Sequence, residues 1–103
     1  MRTSPDYREI FCKRLRASRL ASGLSQKRLG ILAGIDEFVA SARINRYERG
    51  VHEMDIQTAQ RLAFVLDVPL AYFYAEDDGL AELILLFSRS SSQVQQAILK
   101  SLI

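Results

Sequence analysis

At 103 residues, 49% hydrophobic and 25% charged, the chain is apolar enough to fold as one domain and too short for the two cores of a two-domain enzyme. A single cysteine, Cys12, and a single histidine, His52, exclude a disulfide framework and a zinc site; no apolar run approaches the roughly 20 residues that span a bilayer and the opening residues are too polar for a signal peptide, so a cytoplasmic protein without metal or cofactor is expected. The net charge of +2 conceals 11 Lys/Arg against 5 Asp/Glu over residues 1–50 and 3 against 7 over residues 51–103, which suits a basic half that meets a polyanion and equally a solvated surface of uneven charge.

Helical periodicity runs through the whole sequence and no alternating strand pattern interrupts it, so an all-α fold is predicted. Ser4-Pro5-Asp6 reads as a helix start: Ser4 accepts from the first amides, Pro5 suits the first helical position and Asp6 favours the dipole. This first helix runs to about Ala21 and stops at Gly23, with Tyr7, Phe11 and Leu15 on its apolar face and Lys13, Arg14, Arg16 and Arg19 around them. Ser25 is the expected N-cap of a second helix, 26–33, whose Leu29, Leu32 and Ala33 form one stripe and which Gly34 closes. Gly30 inside it costs roughly 1 kcal/mol against alanine; close approach of another helix would give that cost a reason, and otherwise it is simply tolerated.

Asp36 is a candidate cap for a third helix ending at Arg49, before Gly50. A fourth, 55–66, places Ile56, Ala59, Leu62, Ala63 and Leu66 at core spacing, and Pro69 opens a short turn containing Leu70 and Phe73. The acidic run Glu76-Asp77-Asp78 marks the end of the compact unit, with Gly79 as its hinge. Two tail helices follow, about 80–88 and 92–102, with Ser92 and Gln95 at capping-box spacing. Their apolar residues are too many to be left in water, so they are expected to pack on the body or on another chain.

Two adjacent short helices ahead of a third amphipathic one are the layout of a helix-turn-helix. Arg14-Leu15-Arg16, Gly23-Leu24-Ser25-Gln26, Leu29, Ala33-Gly34-Ile35, Ile44-Asn45-Arg46-Tyr47-Glu48-Arg49-Gly50 and Leu62-Ala63 through Leu66-Asp67-Val68-Pro69 carry a closer likeness. On these residues the sequence resembles, over about 8–75, the phage-repressor or Cro-like (xenobiotic-response-element, XRE) helix-turn-helix family of DNA-binding regulators. The resemblance implies a lambda-repressor-like five-helix DNA-binding domain, 1–78, with a short C-terminal helical extension, 79–103, for dimerisation.

The family's third helix lies in the major groove, with Ile44 and Tyr47 facing inward here. By position in the family motif Ser41, Ala42 and Arg46 correspond to base readers, and Arg46 can donate two hydrogen bonds to guanine O6 and N7. Arg43 and Asn45 correspond to phosphate neighbours, and Arg49 extends the same basic side. Ser25 and Gln26, at the start of the second helix, are implied phosphate contacts, and Lys27 and Arg28 add charge without reading sequence. The family pairs an arginine of the first helix with a glutamate of the third, which implies a largely buried ion pair between Arg19 and Glu48.

One departure stands between Gly34 and Ile44, where the chain carries about four more residues than the family's usual link, close to one helical turn. Either the third helix begins a turn earlier and extends its inward face to Phe38 or Val39, or a longer loop leaves its start near Ala40. Asp36 and Glu37 stand close to the expected DNA in both cases, which repels phosphate unless a carboxylate accepts from cytosine N4. Outside the motif Cys12 reads as a half-buried small apolar residue, His52 as a surface-loop residue, and Tyr72, Phe73 and Tyr74 as core and cover.

The implied function is sequence-specific binding of double-stranded DNA, most commonly for repression, by a homodimer on a two-fold or near two-fold operator, since one short helix reads too few base pairs. Leu80, Leu83, Ile84, Phe87, Val94, Ile98 and Leu102 are the expected dimer contacts. A second reading is an antitoxin, with the same DNA-binding unit and an acidic, apolar tail that masks a toxin partner. An enzyme is disfavoured: one histidine gives no Ser/His/Asp set, and no glycine-rich phosphate loop is present.

Overall fold

A computed structural model describes residues 6–103; Ser4 and Pro5, expected to open the first helix, lie outside the described residues. Asp6 takes the capping role instead, its carboxylate accepting from the amides of Arg8 and Glu9, so α1 is Tyr7–Ser22 and ends where Gly23 turns left-handed. Then come α2 (Gln26–Leu32), α3 (Ala40–Glu48), α4 (Ile56–Leu66), a 3₁₀ helix (Leu70–Tyr74), α5 (Asp78–Ser88) and α6 (Ser92–Ser101). The described residues contain no strand, and the fifth helix of the body is the 3₁₀ turn rather than an α-helix. Ser25 and Asp55 cap α2 and α4 through the amides of Arg28 and Thr58, as short polar side chains with extended backbones do.

The core gathers Phe11 and Leu15 from α1, Leu29 from α2, Ile44 from α3, Leu62 and Leu66 from α4, and Phe73, whose ring centroid lies 4.7 Å from that of Phe11. Tyr7, Leu32 and Ile56, read as apolar-face residues, are exposed. Each sits at the edge of its stripe: Tyr7 and Ile56 are first helical residues and Leu32 is a last one, and the Tyr7 hydroxyl donates to Glu76 at 2.9 Å.

Arg14 is buried. Its Nε and Nη2 donate to the Ala75 carbonyl at 3.2 and 2.8 Å, and its Nη1 reaches Asp78 Oδ1 at 2.8 Å. Lys13 Nζ bonds the same carboxylate at 2.9 Å. These contacts hold the first turn of α5 against α1, and Ala81 completes the join in the core. Gly79 therefore lies within the first turn of α5, capped by Asp77 through the Leu80 amide, and is not a hinge. Ser91, rather than Ser92, caps α6 through the Val94 amide, and Gln95 donates to the Phe87 carbonyl at 2.7 Å instead of reaching back to the cap. Among the described residues no helix is long and apolar enough to cross a membrane.

Candidate nucleic-acid interface

α2 and α3 cross where Gly30 meets Ala40. A β-carbon on Gly30 would stand 2.7 Å from the Ala40 β-carbon and 3.1 Å from its α-carbon, so the glycine is required by contact, and its helix-propensity cost is the condition for this crossing. The crossing also settles the loop. Asp36 accepts from the Phe38 amide at 2.9 Å and caps a turn, not α3, which opens at Ala40 without a side-chain cap. The additional residues thus lengthen the link, and Phe38 and Val39 are exposed instead of extending the inward face.

Along α3, Ile44 is fully buried and Tyr47 packs half-buried against the core. Ser41, Ala42, Arg43 and Arg46 are exposed, Asn45 is half-buried, and Arg49, just past the helix end, is exposed. Glu48, the helix's sole acid, turns away from this face. Arg19 Nε donates to its Oε2 at 2.5 Å and Nη2 to its Oε1 at 3.1 Å, while Nη1 donates to the Leu24 carbonyl at 3.0 Å. The side chains are 12% and 3% exposed, so this is a bidentate pair shielded from water, the geometry in which such pairs are strongest. The charged side chains left on the outward face of α3 are all cations.

Gln26 departs from its expected place. Its Nε2 donates to Glu48 Oε1 at 3.1 Å and the residue is half-buried, so its side chain joins the brace that ties α2 to the last turn of α3. Ser25 Oγ is engaged with the Arg28 amide at 3.0 Å, and the Lys27 and Arg28 side chains are exposed beside it. Cys12, read as a half-buried small apolar residue, is half-buried and in addition donates its thiol to the Tyr47 carbonyl at 3.1 Å, and burial pushes its pKa up from 9.0. Gly50 lies against it, left-handed, at a point where a β-carbon would be 3.1 Å from Sγ. A neutral thiol in this position fastens the end of α3 to α1.

Two short helices crossing at a glycine, the second carrying an exposed basic face and bound inward by an isoleucine and a tyrosine, define a helix-turn-helix unit. The family profile described as Helix-turn-helix matches residues 15–73, more than half of the chain, and the chain belongs to this family, in its phage-repressor or Cro-like (XRE) form. The crystal structure of transcriptional regulator BswR is similar over 88% of this chain and 90% of that one, with a TM-score of 0.85 and 46% identity. Uncharacterized HTH-type transcriptional regulators of Sinorhizobium medicae (strain WSM419) and Rhizobium meliloti (strain 1021) are each 30% identical over 66 residues, 64% of this chain and 45% of theirs. The match thus spans a little under half the length of those curated relatives.

Proposed function

We propose that the protein is a sequence-specific, double-stranded DNA-binding transcriptional regulator and not an enzyme, a repressor that acts as a homodimer on a pseudopalindromic operator. The observation that carries this reading is the exposed basic face of α3, held rigid from behind by Ile44, Tyr47 and the Arg19–Glu48–Gln26 brace. A helix fixed in this way meets the major groove already ordered, so little binding free energy is lost in arranging it. In this reading Ser41, Ala42 and Arg46 face base edges, with Arg46 on a guanine. Ser25, Lys27, Arg28, Arg43, Asn45 and Arg49 lie along the phosphates, where cations supply affinity without sequence information, and Gln26, its side chain held in the brace, offers its backbone N–H at the start of α2. The names of the similar proteins, all transcriptional regulators, support the same assignment.

Residues 79–103 act as the dimerisation extension of a DNA-binding unit formed by 1–78. Leu80, Leu83, Val94 and Leu102 are exposed, Phe87 and Ile98 half-buried, and α6 contains no buried residue. Apolar side chains gathered in this way favour cover by a second copy. Ile84 sits at the edge of this face, half-buried against the body.

The test is selection from a randomised duplex pool, followed by titration of the selected site over a salt series with wild type and Arg46→Ala. Binding should weaken with salt as expected for about 6–10 neutralised phosphates per dimer. Arg46→Ala should relax preference at one base pair per half-site by about 1–3 kcal/mol. Equal binding of selected and random duplexes by both proteins would overturn the assignment.

A further inference from the structure

The lengthened link between α2 and α3 carries Phe38, which is 88% exposed. The loop that presents it is held in place by its own hydrogen bonds. Asp36 Oδ1 accepts from the Phe38 amide at 2.9 Å, the Val39 amide donates to the Asp36 carbonyl at 3.1 Å, and the Ile35 amide donates to the Gly30 carbonyl at 2.9 Å. Phe38 stands two residues ahead of Ala40, the first residue of α3, at the end of the helix whose side chains contact base edges in proteins of this architecture.

We propose that Phe38 is a specificity-determining residue that reads thymine, through its C5 methyl group, at the end of each half-site nearest the start of α3; the assignment rests on the DNA-binding reading above. The exposed positions at that end of the helix are Ser41 and Ala42, whose hydroxyl and methyl have short reach and serve only the base edges directly beneath them, so a base pair beyond the helix start is left to a longer side chain. Asp36 and Glu37 beside Phe38 are both exposed and disfavour a phosphate clamp. Apolar contact is the chemistry that remains to the loop, and the thymine methyl is the apolar group displayed in the major groove, for which phenylalanine is a suitable partner. Because the turn is already hydrogen-bonded and phenylalanine has only two side-chain torsions, little ordering opposes the contact.

The experiment is selection from a randomised duplex pool by wild type, Phe38→Ala and Phe38→Leu, then titration of the wild-type site with thymine or deoxyuridine at the enriched thymine position. One methyl-sized apolar group is worth about four-fold in affinity per half-site, or about fifteen-fold on a two-half-site operator. Wild type should lose that factor when thymine is replaced by deoxyuridine. Phe38→Ala should bind both duplexes alike and no longer enrich thymine, and Phe38→Leu should retain part of the preference, with thermal midpoints unchanged because the side chain is exposed. If wild type selects a site and Phe38→Ala selects the same one, with deoxyuridine without effect, the Phe38 assignment is overturned and the DNA-binding reading stands. If wild type enriches no sequence, both fall.

Discussion

Gly30→Ala is the most informative single change in this fold, because two simple expectations for it have opposite signs. In an ordinary helix the substitution stabilises by about 1 kcal/mol. Here the new β-carbon would meet the Ala40 β-carbon at 2.7 Å and the Ala40 carbonyl oxygen at 3.2 Å, whereas carbons pack at about 3.5–4.0 Å. The nearest atoms belong to a short side chain and to backbone, so nothing flexible can swing aside and α2 must move from α3 by about 1 Å. Overpacking of this kind costs about 1–3 kcal/mol; set against the gain in helix propensity, the net effect is a loss of up to about 2 kcal/mol and a fall in Tm of up to about 10 °C. Ala40→Gly placed on top of Gly30→Ala should recover part of the loss, with a coupling of about 1 kcal/mol in the double-mutant cycle. Thermal and urea unfolding of the four proteins measure it. A rise in Tm for Gly30→Ala would show that the crossing is looser than described and would refute the steric argument.

Other substitutions test the supports behind α3 and the seat of α5. Glu48→Ala should cost about 3 kcal/mol in urea unfolding, because it leaves the Arg19 guanidinium enclosed without its carboxylate, and removing Arg19 as well should return part of that loss. Lys13 first, and Arg14 beside it, hold the Asp78 carboxyl below its ordinary 3.8, and the Thr58 hydroxyl and amide do the same for the Asp55 cap. A pKa lowered in the folded state adds stability that is complete above the unfolded value and is lost as pH falls through the folded one. Tm should therefore hold from pH 7 to about pH 5 and fall below pH 4, with a shallower acid limb in Asp78→Asn, measured by melts across a pH series.

Where a single side chain decides an element, its place was readable without coordinates. Gly23 and Gly34 end their helices left-handed and Ser25 caps α2, while the glycine within α2, for which close approach and simple tolerance were both open, meets Ala40. Where two solutions keep the same phase, sequence could not choose. A helical turn added before Ile44 and a longer loop both leave Ile44 and Tyr47 inward; the Asp36 turn and the Ala40 contact with Gly30 select the loop. Ser90, Ser91 and Ser92 are equivalent as caps until the chain direction out of α5 is known. Arg14 was invisible because periodicity assigns arginine to water, and its carbonyl partner at Ala75 is 61 residues away. The Gln26 contact with Glu48, 22 residues apart, was out of reach of any spacing rule for the same reason.

The grip of Arg14 and Lys13 on Asp78 has a consequence for the DNA that a pair of these chains would choose. With its root anchored to α1, the tail leaves the body at a set angle, so in the proposed dimer the two reading heads behave as the jaws of a fixed-gauge calliper. Adding or removing one base pair between half-sites turns one of them by about 34° and shifts it by about 3.4 Å. A protein built with a free swivel at that point would follow the change, whereas this one should reject such operators and accept a single spacing.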